Sequence, residues 1–355
     1  MHRWLIPAIL FVFSLISIVT LKSVAAPLAT SQLFFFIIGS GIFFIASKIP
    51  FSMWLQYRWF GYGFLCFLLL LTLVLGTVTR GTTSWIPIGS YHLQPSQLAI
   101  PLAALVVAYY LAHRPITSWK KLGLLLGIIL IPALFIMNEP DLGTTVIYLL
   151  SLGSLLVVSR IPLMYLVTLA GLGLVTVILS WTLILKPYQK ARITSFLNAQ
   201  SQKTDAHYNA QQSLIAVGSG QIFGRGLGQG VQSHLRFLPE RQTDFIFASF
   251  AEEWGLIGSL IVIALYLLLT SYLFYLSLQA PSATESYFVL VMTMMIATQS
   301  MVNIGMNVGL LPITGITLPF ISYGGSSLLS MMLALGMTYG IAQRVPLVTK
   351  FRHFE

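Results

Sequence analysis

Apolar runs long enough to cross a lipid bilayer recur along most of this 355-residue chain, and that repetition limits its fold more than any single motif. They lie near residues 4–21, 32–48, 59–79, 95–112, 122–138, 142–159, 161–185, 244–278, 286–311 and 324–343. In lipid a backbone N–H or C=O has no water to bond, so each run must close its own hydrogen bonds as a helix. Only 8% of the residues are charged, against roughly 25% in soluble domains. The expected fold is therefore all-α: a polytopic membrane helix bundle of about ten transmembrane helices, with residues 1–355 forming a single integral-membrane domain. Ser23-Val24-Ala25 resembles a signal-peptide cleavage site, but the first apolar run is long and more follow, so a retained first helix is expected.

Basic residues set the orientation. With both ends inside, the inner segments carry Arg3, Lys48, Arg58, Arg114, Lys120, Lys121, Arg160, Arg344, Lys350 and Arg352. The short outer loops carry only Lys22 and Arg80, which favours an N-in, C-in arrangement. The other seven basic residues fall in one long segment, about 186–243, expected to be an extracytoplasmic loop between helices 7 and 8. The net charge of +10 is scattered among loops, which suits topology and anionic headgroups and points away from nucleic acid. The single Cys66 excludes an intrachain disulfide and a cysteine metal cluster. The six histidines show no paired ligand spacing, and the sequence leaves any metal unknown.

Several local patterns carry both a structural and a functional reading. The glycine-rich GSGQIFGRGLGQG at 218–230 lacks both the P-loop and the dinucleotide-binding spacing, so its glycines are read as backbone freedom for a loop over the membrane face. Glu139-Pro140-Asp141 reads as a helix junction with acids near a positive helix end. Gln299, Asn303 and Asn307 share a helix face and read as helix-packing hydrogen bonds. Pro312 and Pro319 break the chain before SYGGSS at 322–327, which must be buried in protein or line a cavity. Trp85 reads first as an interfacial anchor.

The segment FLPERQTDFIFASFAEEWG, 237–255, holds four of the nine acidic residues. Asp244 opens an apolar run and, with Thr243, is a candidate helix cap. In a continuous helix Glu252 lies about 80° around from Asp244 and one to two turns deeper, with Glu253 roughly opposite. Ionisable groups at that depth face a bundle interior or a watery cavity, so at least one of the pair is expected to be partnered or neutral. The pattern predicts an outward-facing polar cavity with Asp244 at its mouth.

Five segments together resemble the SEDS family, the RodA and FtsW proteins of bacterial cell-wall synthesis. They are SWIPIGSYHLQPSQLAI (84–100), NEPDLGTTV (138–146), YQKARI (188–193), the run from Gln212 to Gly258, and NIGMNVGLLPITGITLPFISYGGSS (303–327). The chain departs from the family at QPSQLAI, where Gln97 and Ile100 replace the usual acid and base, so both are read as structural. LPERQTD looks more like RodA and GITLPFISYGGSS more like FtsW, which leaves elongation and division unseparated. The resemblance implies a peptidoglycan glycosyltransferase of the bacterial cytoplasmic membrane that polymerises lipid II on the outer face beside a class B penicillin-binding protein. It implies that Asp244 is the catalytic residue.

One carboxylate suffices as general base on a sugar hydroxyl, because diphosphate leaves without protonation. Cationic help for that leaving group is expected from Arg241, Arg192 or Lys190, or from a divalent cation; no other cofactor is required. Trp85, Glu240, Ser322 and Gly324 are further candidate substrate contacts. Glu252, Glu253, Glu139, Asp141, Gln94, Pro95, Ser96 and Asn303 are candidate supports of the cavity. The competing readings are a lipid II flippase, which needs polar groups through the full membrane depth, and a silent scaffold for the penicillin-binding protein.

Overall fold

Helices dominate the computed structural model, which describes residues 4–79, 82–89, 91–186, 189, 190, 192, 194, 196, 205–235 and 237–345. Arg3, Arg80, Lys203, Arg236, Lys350 and Arg352, counted above, lie outside the described residues. The helices are α1 (Leu5–Val24), α2 (Ala26–Lys48), α3 (Phe51–Gln56), α4 (Arg58–Leu75), α5 (Ala99–His113), α6 (Trp119–Asn138) and α7 (Leu142–Val158). They continue with α8 (Leu163–Leu179), α9 (Asp205–Ser219), α10 (Val231–His234), α11 (Ile246–Gln279), α12 (Ala283–Asn307) and α13 (Gly325–Ala342). Among the described residues, 9 helices are long and apolar enough to cross a membrane, and α7 is a shorter apolar helix of 17 residues. The chain is a polytopic helical membrane protein.

Side-chain oxygens fix several helix starts. Ser118 accepts from Lys121 N at α6, Asp141 from Thr144 N at α7 and Ser282 from Glu285 N at α12. Each such cap contributes about 1 kcal/mol. Helix α12 packs against α5, α7 and α11, and 72% of its apolar window is buried, against 6% for α8. That contrast makes α12 the axis of the bundle and leaves α8 at its edge.

Two sequence expectations need correction. The apolar run read as 59–79 stops being helical at Leu75, and a three-stranded antiparallel sheet follows. Its strands are β1 (Thr77–Thr79), β2 (Thr82–Ile88) and β3 (Tyr91–Leu93), in the order β1-β2-β3. Threonine, valine and isoleucine in these segments favour extended backbone, and the sheet delivers the chain into a 3-10 turn at Pro95–Leu98. The run read as a single span over 244–278 is broken at Gly255, whose φ of 66° and ψ of −163° end one helical piece and start another.

A broken helix inside a membrane protein must find substitute partners for its backbone. The glycine-rich loop supplies them in both directions. Leu256 N donates to Gln221 O at 2.8 Å and Ile257 N to Ile222 O at 3.2 Å. In return, Arg225 N donates to Glu252 O at 3.0 Å and Gly226 N to Glu253 O at 3.1 Å. The loop read from sequence as a flexible cover is instead a fitted insert that completes α11.

Gly224 shows how close that fit is. Its φ is +83°, and a Cβ added there would overlap the Glu253 carbonyl. Gly228 also has a positive φ, +77°, but open space where its Cβ would be. Gly224→Ala is therefore expected to lower the thermal midpoint in detergent well beyond Gly228→Ala, whose cost is the backbone strain alone, about 1 kcal/mol. Equal losses in the two variants would contradict the insert.

Candidate active-site cavity

Three helix starts converge on one cavity of about 790 Å³, which Leu142 of α7, Phe245 before α11 and Gly324 before α13 all line. Helix amino ends carry partial positive charge from unpaired N–H groups. At α7 the Asp141 side chain caps that end, whereas α13 has Gly324 at its N-cap and no side-chain cap. The 3-10 turn, Arg192, Asn209 of α9, Gln299 of α12 and the 311–317 loop complete the walls.

Asp244 and Arg192 face the same point of this cavity. Gly315, at φ +76°, brings the 311–317 loop against both: a Cβ there would lie 3.6 Å from Asp244 Oδ2 and 3.7 Å from Arg192 Nη1. The Asp244 carbonyl accepts from Asn303 Nδ2 at 2.9 Å and Asn307 Nδ2 at 3.0 Å. Glu240 lines the cavity beside them, its Oε2 accepting from Thr243 Oγ1 at 2.8 Å.

Asp141 is the third carboxylate of the lining. It accepts from Thr144 N at 3.0 Å, Thr144 Oγ1 at 2.8 Å and Gln94 Nε2 at 3.0 Å, and Gln97 Nε2 donates to Gln94 Oε1 at 3.2 Å. Burial pushes the Asp141 carboxyl above its ordinary range, opposed by the Thr144 bonds, the Arg192 charge and Gln94. Among the described residues, no group of three or more His, Cys, Asp or Glu side chains is arranged to hold a metal ion.

Eight of the expected residues line the cavity: Trp85, Gln94, Ser96, Asp141, Arg192, Glu240, Asp244 and Gly324. Gln97 and Ile100, read as structural, line it too. Others do not. Arg241 donates through Nε to Val24 O at 3.1 Å, placing its guanidinium at the carboxyl end of α1, where the last carbonyls attract a cation. Lys190 is absent from the lining although its neighbour Gln189 is part of it. Ser322 accepts from Leu318 N at 2.8 Å and donates to Thr243 O at 2.6 Å, so it staples the loop before α13 to the segment bearing Asp244. Pro95 is buried in the 3-10 turn, and Asn303 acts behind the wall.

Glu252 and Glu253 are buried away from the cavity and hold the glycine-rich loop instead. Glu252 accepts from Gln232 N at 2.8 Å, Ser233 N at 3.0 Å and Ser233 Oγ at 2.6 Å. Glu253 accepts from Ser23 Oγ and from Gly228 N at 3.2 Å, with His234 Nε2 also at 3.2 Å. The break at Gly255 and the folding back of the loop explain the difference: donors reach these acids from the glycine-rich loop, α10 and Ser23 of α1. Gln299, Asn209, Ser326 and Ser327 line the cavity without having been singled out as contacts. Ser326 and Ser327 could have been read from SYGGSS, whereas nothing in the sequence distinguishes Asn209.

Glu139 is buried beside this site, and among the described residues only the Thr72 hydroxyl faces its carboxyl as a weak polar neighbour. Burial, reinforced by the neighbouring Asp141 charge and partly opposed by the Thr72 hydroxyl, lifts it from an ordinary 4.5 to about 8. The folded protein thus holds a proton that the unfolded chain releases, so stability falls as pH rises from about 4.5 towards 8 and then levels off. Glu139→Gln is expected to flatten the fall of the thermal midpoint between pH 5 and pH 9, roughly spanning that window. An unchanged slope would contradict the buried, protonated carboxyl.

The profile of the cell cycle protein family FtsW/RodA/SpoVE matches residues 2–346. The probable peptidoglycan glycosyltransferase FtsW of Coxiella burnetii is 36% identical over 323 residues, covering 88% of this chain and 85% of the relative. Stage V sporulation protein E of Bacillus subtilis is 37% identical, covering 89% and 87%. Peptidoglycan glycosyltransferase MrdB of Escherichia coli K12 is 34% identical, covering 88% and 85%. Among solved structures, a chain described under the structural coordination of polymerization and crosslinking by a peptidoglycan synthase complex superposes with a TM-score of 0.83. It is 28% identical and covers 96% of this chain and 97% of its own length. The rod shape determining protein RodA of Thermus thermophilus gives 0.73 at 26% identity, covering 96% and 97%.

Proposed function

Because the chain belongs to the FtsW/RodA/SpoVE cell cycle protein family, we propose that it is a peptidoglycan glycosyltransferase of the cytoplasmic membrane that polymerises lipid II with Asp244 as general base. The observation that carries this reading is the meeting of Asp244 Oδ2 and Arg192 Nη1 at Gly315 inside the large cavity. A base and a cation at one point are what transfer of a sugar from a diphosphate needs.

In the step, a sugar hydroxyl of one lipid-linked substrate attacks the anomeric carbon of a second, diphosphate-linked one. Asp244 takes the hydroxyl proton as the new C–O bond forms, and the old anomeric C–O bond breaks with its electrons going to the lipid diphosphate. Arg192 and the uncapped amino end of α13 offset the charge that develops on the leaving group. The cavity carboxylates Asp141, Glu240 and Asp244 are the residues a divalent cation would draw on, and its charge would offset that of the leaving diphosphate, but among the described residues they are not arranged as a metal-holding group.

The cavity lies at the outer face in this proposal. Supporting it, Arg114, Arg160 and Arg344 fall at the far ends of α5, α7 and α13, the helices whose near ends line the cavity. Transferase rather than flippase fits the depth of the polar lining. Along α12 the cavity reaches Met295, about 18 Å from the helix end, and beyond it Phe288, Val289 and Met292 are buried and apolar. The partner we propose is a class B penicillin-binding protein, in line with the peptidoglycan synthase complex that contains the chain's structural neighbour.

Purified protein with its partner and lipid II is expected to make glycan strands. Asp244→Asn should lower the rate at least about 100-fold while leaving the thermal midpoint and partner co-purification intact. Wild-type rates from that variant would rule out the base assignment, and lipid II movement across liposomes without polymer would favour the flippase.

A further inference from the structure

The first turn of α11 contains a side chain from another helix. In a regular helix Ala248 N would donate to Asp244 O. Here Ala248 N donates to Asn307 Oδ1 at 3.1 Å, while Asn307 Nδ2 donates to Asp244 O at 3.0 Å. One carboxamide from α12 is thus inserted between the donor and the acceptor of a single helical bond. Its geometry uses both ends of the amide, which leucine cannot reproduce and aspartate reproduces only on the acceptor side.

The insertion extends to the rest of the cavity wall. Asn303, one turn before Asn307, donates through Nδ2 to Asp244 O at 2.9 Å and to Ile316 O at 2.6 Å. The second bond holds the loop whose Gly315 flanks the Asp244 carboxylate and Arg192. Ser213 of α9 donates to Asn307 O at 2.9 Å, on the helix that brings Asn209 into the cavity. Both asparagines are fully buried, so their polar atoms were drawn into the interior by these bonds rather than left to solvent. General packing would need only that the helices touch; it would not need two amides converging on one carbonyl.

We infer that Asn307, with Asn303, is a positioning residue for the transfer step: the inserted amide holds Asp244 outside the regular helix and fixes the aim of its carboxylate relative to Arg192. The inference rests on the reading of Asp244 as the base. Neither asparagine lines the cavity, so removing the amide acts on the chemical step through Asp244 and leaves ground-state binding of lipid II in place. Displacement of a catalytic group by about 1 Å costs on the order of 100-fold in rate.

The experiment is steady-state lipid II polymerisation by the full chain with its partner, for Asn307→Leu, Asn307→Asp and Asn303→Ala. Asn307→Leu is expected to lower kcat about 10- to 100-fold with KM for lipid II unchanged. Asn307→Asp keeps the acceptor for Ala248 N but loses the donor and adds a charge beside Asp244, so the acidic limb of its pH–rate profile moves to higher pH. Should Asn307→Leu fail to fold, Asn303→Ala, which leaves the inserted amide in place, still reads the loss of kcat on a protein with a normal melting curve. Wild-type kcat in the folded variants, or a loss confined to KM, would overturn the inference. A wild type that makes no polymer would instead overturn the reading of Asp244 on which it rests.

Discussion

Everything at the candidate site depends on a helix that stops being a helix inside the bundle. Breaking α11 at Gly255 leaves carbonyls and N–H groups that lipid cannot satisfy, and each unsatisfied group would cost several kcal/mol. Residues 221–226 meet that demand, and Asn307 separately satisfies Ala248 N and Asp244 O at the start of the same helix. The acids Glu252 and Glu253 then clamp the loop that does this work, through Gln232, Ser233, Gly228 and Ser23. The short piece from Ile246 to Trp254 is thereby fixed at both ends, and Asp244 is presented from a rigid support rather than from a mobile loop.

The electrostatics of the cavity follow from the same construction. Three carboxylates, Asp141, Glu240 and Asp244, share it with Arg192, and each is restrained differently. Asp141 caps α7 and is held by Gln94; Glu240 bonds within its own turn to Thr243; Asp244 is held by its backbone carbonyl. Side chains that position one another in this way keep their charges at defined points, and helix amino ends add positive potential without further cations. An anionic diphosphate and a hydroxyl that must lose a proton can then be served by neighbouring parts of one pocket.

The membrane bundle was legible in the sequence because twenty-residue apolar runs have few other solutions. Asp244, Arg192, Glu240, Asp141 and Gln94 were legible because they fall in motifs resembling a family, and all five line the cavity. What misled was continuity. An unbroken apolar run hid the break at Gly255, and with it the reason Glu252 and Glu253 serve the loop. Arg241 looked like a substrate cation from its nearness to Asp244 in sequence, yet it caps α1, some 217 residues away along the chain. Gln299, Asn303 and Asn307 were read as one packing face. The face is real, but periodicity does not say what an amide will bond, and the 311–317 loop and the non-helical segment before α11 supplied backbone partners that no intact helix would have offered.

The most direct measurement is the structure of the Asp244→Asn protein with lipid II trapped in it. The account predicts the attacking sugar hydroxyl within about 2.6–3.2 Å of the side chain at position 244, and the diphosphate against Arg192 and the start of α13. Reacting sugars bound away from the cavity, or a diphosphate held on the opposite side of the bundle, would contradict it.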